Sequence, residues 1–159
     1  MRDKLSMDSI DRKILSLLQT DASLSIQDIA KRVHLSPTPC WKRIRRLEET
    51  GVIRARVALL DPGKINADVT VLVSIRTVKH TKEWIEAFAR TVVEMPEVMD
   101  VYRMSGEVDY LLRVVVPDIA TYDRFYKKLI AAIELHDVSS HFAMEQIKYT
   151  TALPINNAD

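Results

Sequence analysis

Residues 36–47 read SPTPCWKRIRRL: two prolines, a lone cysteine, a tryptophan and four cations in one short stretch. Local physics sorts them. Ser36 suits a helix N-cap, and Pro37 suits the first helical position, where an N–H would have no intrahelical partner anyway. Pro39 still falls within the first turn, and Gly51 is the expected stop. At about 100° per residue, Cys40, Ile44 and Leu47 line one narrow face of this helix. Thr38, Lys42, Arg45 and Arg46 point the opposite way, with Trp41 and Arg43 on the flanks. Cys40 therefore reads as a small buried hydrophobe and not as a reactive thiol.

Two helices are expected upstream. Ile10, Ile14, Leu17 and Leu18 recur at helical spacing behind a cap near Asp8. Ser25 and Asp28 form a capping-box pattern ahead of Ile26, Ile29, Ala30 and Val33. The short turn His34-Leu35-Ser36 then leads into the third helix. Two helices joined in this way, the second presenting cations outward, make the helix-turn-helix pattern. Phosphates require Lys or Arg at the groove rim, and base edges require side chains near the start of the second helix. Residues 31–56 carry eight Lys/Arg against two Asp/Glu. A solvated basic helix would share that charge, but the capped three-helix frame favours double-stranded DNA as the partner. Thr38, Pro39 and Lys42 are expected closest to base edges and Arg43, Arg45 and Arg46 at phosphates. Ser36 completes the DNA-binding set.

Further along, VIRARVALLDPGKI (52–65) reads as a short strand or wing that ends in the turn signal Asp61-Pro62-Gly63. The charge also divides there. Residues 1–60 hold 12 Lys/Arg and 7 Asp/Glu, whereas residues 61–159 hold 11 and 15, so the two halves have opposite sign. This predicts a DNA-binding domain over 1–60, a linker over 61–67 and a second domain over 68–153.

The second domain changes character. VTVLVSIRTV (69–78) is strand-like, and residues 81–95 place Trp84, Ile85, Phe88 and Val92 on one helical side. EVMDVYRM (97–104) and VDYLLRVVV (108–116) flank Ser105-Gly106-Glu107 as a hairpin. Pro117-Asp118 opens a helix expected to bury Ile119, Tyr122, Tyr126, Leu129 and Ile133, and a last strand is expected from Val138 to about Thr150. The order βαββαβ predicts a ferredoxin-like arrangement, an α+β fold behind a winged helix-turn-helix. In the last strand Phe142 and Met144 share one parity and Ile147 and Tyr149 the other, which implies a bulge or a change of pairing partner, such as a second copy of the chain.

Several function classes find no support. Three scattered glycines (Gly51, Gly63, Gly106) make no phosphate loop, and no nucleophile stands beside a base, so an enzyme is not expected. Cys40, His34, His80, His136 and His141 lack paired metal-ligand spacing, so no metal or cofactor is expected. One cysteine permits no internal disulfide and points to the cytosol. The first residues lack the apolar run of a signal peptide, and no apolar stretch reaches the roughly 18 residues of a membrane span.

The stretch IDRKILSLLQTDASLSIQDIAKRVHLSPTPCWKRIRRLEETGVIRARVALLDP resembles the winged helix-turn-helix of the Lrp/AsnC family, the feast/famine transcription regulators. MSGEVDYLLRVVVPD followed by a helix and FAMEQIKYTTALP resembles that family's ligand-sensing domain, and the variants TPCWKR and FAMEQIKYTT look most like a cysteine-responsive branch. The resemblance implies a cytoplasmic, nucleoid-associated DNA-binding regulator. It also implies a homo-oligomer, a dimer built through the ferredoxin-like domains and often enlarged to a tetramer or octamer, modulated by a small amino-acid effector. Carried over by motif, the effector residues are Arg103, Met104, Gly106, Asp109, Ile119, Ser140 and His141. The family commonly has a Leu-Pro-Gly-Val turn before the last strand, where this chain reads IELHDV (133–138). Plain alternatives stand beside three of these residues: Gly106 supplying a positive φ, Asp109 capping the hairpin backbone and His141 as an exposed strand position. An architectural protein that compacts DNA without an effector is the alternative function.

Overall fold

A computed structural model gives the structure of the protein over residues 7–155. Residues 1–6 of the expected DNA-binding domain, and residues 156–159, lie outside the described residues. The chain forms two compact units, Met1–Ala58 together with Lys148–Asp159, and Leu59–Ile147. The sequence places the end of the second domain at 153, whereas the segment from Lys148 groups with the first unit.

In the first unit, α1 (Ser9–Thr20), α2 (Ile26–Arg32) and α3 (Pro37–Glu49) form the three-helix frame. The first two starts carry side-chain caps. The Asp8 carboxylate accepts the N–H groups of Ile10 and Asp11, both at 2.9 Å, and the Asp11 carboxylate accepts the Asp8 N–H in return. Ser25 Oγ accepts the Asp28 N–H at 3.1 Å. Gly51, with φ of 73°, ends α3 in the left-handed region that a side chain disfavours. Ile14, Ile29, Ala30, Val33, Cys40, Ile44 and Leu47 make the core, so the face predicted from the opening stretch is the buried one. Burial raises the Cys40 thiol above its ordinary value, which disfavours the thiolate.

The expected wing differs. Residues 54–61 form no strand and pair with no strand among the described residues. Val57, Leu59 and Leu60 stay exposed, and Arg56 turns back to Glu48 at 2.8 Å.

The second unit is the expected β1 (Val69–Arg76), α4 (Lys82–Val93), β2 (Val98–Arg103), β3 (Tyr110–Val116), α5 (Ile119–Ala132) and β4 (Asp137–Phe142). The sheet order is β2-β3-β1-β4 with every pair antiparallel. Strand alternation sends Val71, Val73, Ile75, Tyr110, Leu112, Val114 and Val116 into one core with Trp84, Phe88, Val92, Tyr122, Phe125 and Leu129 of the helices. Leu72, Ser74 and Arg76 face the other way, level with His141, Ser139 and Asp137 of β4.

Two expectations need correction. Ile119 is 69% exposed, because it opens α5 beside the Asp118 cap; Phe125 fills the core in its place, and Tyr126 is half-buried. The last strand stops at Phe142, opposite Val71, and the final bond is the Ala143 N–H to the Thr70 carbonyl at 2.9 Å. The parity change therefore marks the end of the strand. Met144, at 96% exposure, lies beyond any sheet face. The one register shift among the described strands sits in β2, between Val98 and Asp100.

Candidate nucleic-acid interface and ligand site

The first turn of α3 is open. Ser36, Thr38, Pro39, Trp41 and Lys42 are all exposed, and the Ser36 hydroxyl makes no capping bond, so it stays available at the positive end of the helix. Lys42 has no ion-pair or hydrogen-bond partner among the described residues. The three arginines differ sharply from it. Arg45 Nε meets Glu49 Oε1 at 2.8 Å across one helical turn and lies 5.9 Å from the Trp41 ring, an exposed arrangement of small energetic weight.

Arg43 and Arg46 are tied to α1. Arg43 Nη1 reaches Asp8 Oδ2 at 2.7 Å and Asp11 Oδ1 at 2.9 Å, and Arg46 Nη2 donates to the other oxygen of Asp11. Asp11 is only 1% exposed, so this carboxylate is a buried charge compensated by two guanidinium groups. The Asp11 N–H, and next to it Arg43, hold the Asp8 carboxyl below its ordinary range. Sequence reasoning assigned all three arginines to phosphate and missed Asp11. On a helical wheel an aspartate in a first turn reads as a dipole partner, and nothing local announces arginines more than thirty residues away.

In the second unit the seven expected effector residues do not converge within one chain. Gly106 stands at the hairpin tip with φ of 116°, and open space surrounds the position a side chain would take. Asp109 is engaged three times: its N–H donates to the Ile75 carbonyl at 3.0 Å, its carbonyl accepts the Met104 N–H at 2.8 Å, and Oδ2 accepts the Thr77 N–H at 2.8 Å. Arg103 ends β2, exposed, opposite Tyr110. Ile119 is exposed at the start of α5. Ser140 faces the helices, where its hydroxyl bonds the Tyr122 hydroxyl. Burial pushes that phenol up, with the Ser140 bond opposing the shift.

His141 points to the opposite side. There a shallow cavity of about 180 Å³ is lined by Ser74, Arg76, Glu107, Val108, Asp137, Ser139 and His141. Of the expected residues only His141 lines it, while Arg76, Glu107 and Asp137 add one cation and two carboxylates that sequence reasoning passed over. Polar residues at alternate positions of an apolar strand (Ser74, Arg76) are the available signal. A larger cavity of about 530 Å³ lies in the first unit between α1 and residues 152–155, away from the α3 face.

Comparison with known proteins fits both halves. Residues 70–153 match the Lrp/AsnC ligand binding domain, and residues 7–54 match a winged helix-turn-helix DNA-binding family. The chain belongs to the Lrp/AsnC family. It is 55% identical over 150 residues to the DNA-binding transcriptional activator DecR of Escherichia coli K12, covering 94% of this chain and 99% of that protein. It is 47% identical to the glutamate uptake regulatory protein of Zymomonas mobilis, covering 94% and 91%. Among solved structures, an AsnC family transcriptional regulator from Agrobacterium tumefaciens superposes with a TM-score of 0.92 at 65% identity, covering 94% and 98%. A Neisseria meningitidis transcriptional regulator in complex with L-Met superposes with a TM-score of 0.90 at 34% identity, covering 95% and 98%. Like its family, the chain is a transcriptional regulator with a DNA-binding unit and a ligand-binding unit. Among the described residues no helix is long and apolar enough to cross a membrane.

Proposed function

We propose that this Lrp/AsnC-family regulator senses a small amino acid on the second unit, beside the 105–109 hairpin, and so alters its assembly or its binding to double-stranded DNA. The observation that carries the reading is the mixed charge of the sheet-face cavity. A free amino acid carries a carboxylate and an ammonium a few ångströms apart. Arg76 supplies a cation, Glu107 and Asp137 supply anions, and Ser74 and Ser139 add hydroxyls around one opening. The L-Met complex of the Neisseria relative supports the same ligand class. Cysteine is the first candidate within it, from the resemblance of TPCWKR and FAMEQIKYTT.

Thr38, Pro39 and Lys42 lie closest to the base edges in this reading, with Ser36 in the same DNA-binding set, and the protein works in the cytoplasm on the nucleoid as a homo-oligomer. Leu72 and Tyr102, exposed on the sheet face away from the helices, support self-association. Thermal denaturation against each standard amino acid tests the effector class. A ligand at about 100 times its dissociation constant stabilises the fold by roughly 2.7 kcal/mol. A chain whose melting temperature no amino acid moves would overturn the reading. Sedimentation at micromolar concentration tests assembly, and a stable monomer would exclude it.

A further inference from the structure

The recognition helix carries four cations, yet they are not equivalent. Lys42 has no carboxylate partner among the described residues, Arg45 has an exposed one, and Arg43 and Arg46 share Asp8 and Asp11 of α1. Arg43 is 28% exposed in its side chain and Arg46 47%. The four groups Asp8, Asp11, Arg43 and Arg46 sum to zero charge. Asp8 and Asp11 are also the reciprocal cap that starts α1, so the same two carboxylates begin one helix and hold the middle of another.

Two physical consequences follow from this wiring. Sequence-independent DNA binding grows with each cation free to displace counterions from a phosphate, about 0.9 in the logarithmic salt slope per contact. A guanidinium already held by a carboxylate contributes little to that count. Sequence-specific binding instead requires α3 to enter the groove in one register, and a buried carboxylate that accepts from two guanidinium groups fixes α3 on α1 with directional bonds.

We propose that Asp11 is a positioning and specificity-determining residue for DNA binding: assisted by Asp8, it neutralises and orients Arg43 and Arg46, which suppresses indiscriminate phosphate binding and sets the register of α3. Arg43 is then a strut within the domain, and Lys42 is the cation of the helix with no carboxylate partner among the described residues.

The test measures dissociation constants of the full chain against salt on two probes. One is a random-sequence duplex; the other is the tightest duplex that the wild-type protein recovers from a randomised pool. Asp11→Asn is expected to tighten binding to the random duplex and to steepen its salt slope by about one. It should narrow the ratio of the two affinities roughly tenfold, within the range that one mismatched base pair costs. A purely structural role would weaken both probes alike and leave the slope in place, and that result in a folded Asp11→Asn would overturn the proposal. The second variant, Asp8→Asn combined with Arg43→Gln, removes one charge of each sign from partly exposed positions and stands even where Asp11→Asn does not fold. Its slope on the random duplex should equal that of wild type. A drop of about one in the double variant would show Arg43 on phosphate and sink the idea.

Discussion

The Asp109 carboxylate accepts the backbone N–H of Thr77 at 2.8 Å, so the hairpin between β2 and β3 is tied to the exit of β1. Thr77 is buried, and its N–H has no strand partner there. Replacing Asp109 with alanine leaves that donor unpaired, at a cost of about 1–3 kcal/mol. The amide of Asp109→Asn keeps an acceptor in place but removes the charge. Asp109→Ala should therefore lower the melting temperature, while Asp109→Asn should hold it near the wild-type value. Loss of an amino-acid-induced shift in Asp109→Asn would assign the carboxylate a role towards the ligand ammonium. A retained shift would leave it as a turn residue alone.

Ser140 and His141 offer a second separation, because adjacent strand residues face opposite sides of a sheet. Ser140→Ala removes the partner of the hydroxyl of buried Tyr122 and should cost about 1 kcal/mol, without altering the ligand response. His141→Ala should leave stability close to wild type, since the ring is exposed, and should change the response to the effector. Melting curves with and without ligand check both. The opposite pattern would place the ligand under the helices.

Acid should loosen the helix starts. Asp8 is held below the ordinary aspartate value of 3.8 chiefly by the Asp11 N–H and then by Arg43. Asp118 is held below it chiefly by the Thr121 N–H. A depressed carboxyl binds protons less readily folded than unfolded, so its contribution is complete above about pH 4 and fades as pH falls through the folded value. Asparagine caps a helix nearly as well as aspartate but carries no charge. Asp8→Asn should therefore melt below wild type near neutral pH, and the gap should close in acid. A gap that stays constant down to acid pH would mean the charge is irrelevant there.

The parts of this protein that sequence made legible are those fixed by nearest neighbours. The α3 boundaries follow from Pro37 and Gly51, and the second-unit order follows from period changes and one hairpin. What escaped depends on distant chain. Asp11 finds its partners 32 and 35 positions on. The cavity beside His141 exists because the β1–β4 register brings Arg76 level with Asp137 and Ser74 level with Ser139. The carried-over effector residues share sequence neighbourhoods, but strand alternation and the short hairpin turn them to different faces. Arg43 escaped for a third reason: its charge was visible and its neutralisation was not.

Residues after the second unit bear on the stability of the first. The Gln19 side-chain amide brackets the backbone of Leu153, donating to its carbonyl at 3.1 Å and accepting its N–H at 2.7 Å, and Ile155 packs against the three-helix core. A chain ended at Ile147 loses this half-buried isoleucine and both bonds, about 1–3 kcal/mol together. For a unit of this size, that lowers its melting temperature by several degrees at about 4–8 °C per kcal/mol. The two tryptophans separate the units, because Trp41 lies in the first and Trp84 in the second. In a Trp84→Phe background, Trp41 fluorescence should show the truncated chain melting earlier, and Gln19→Ala should shift it the same way by less. Identical Trp41 curves for truncated and full-length chains would mean that residues 148–155 rest on the first unit without stabilising it.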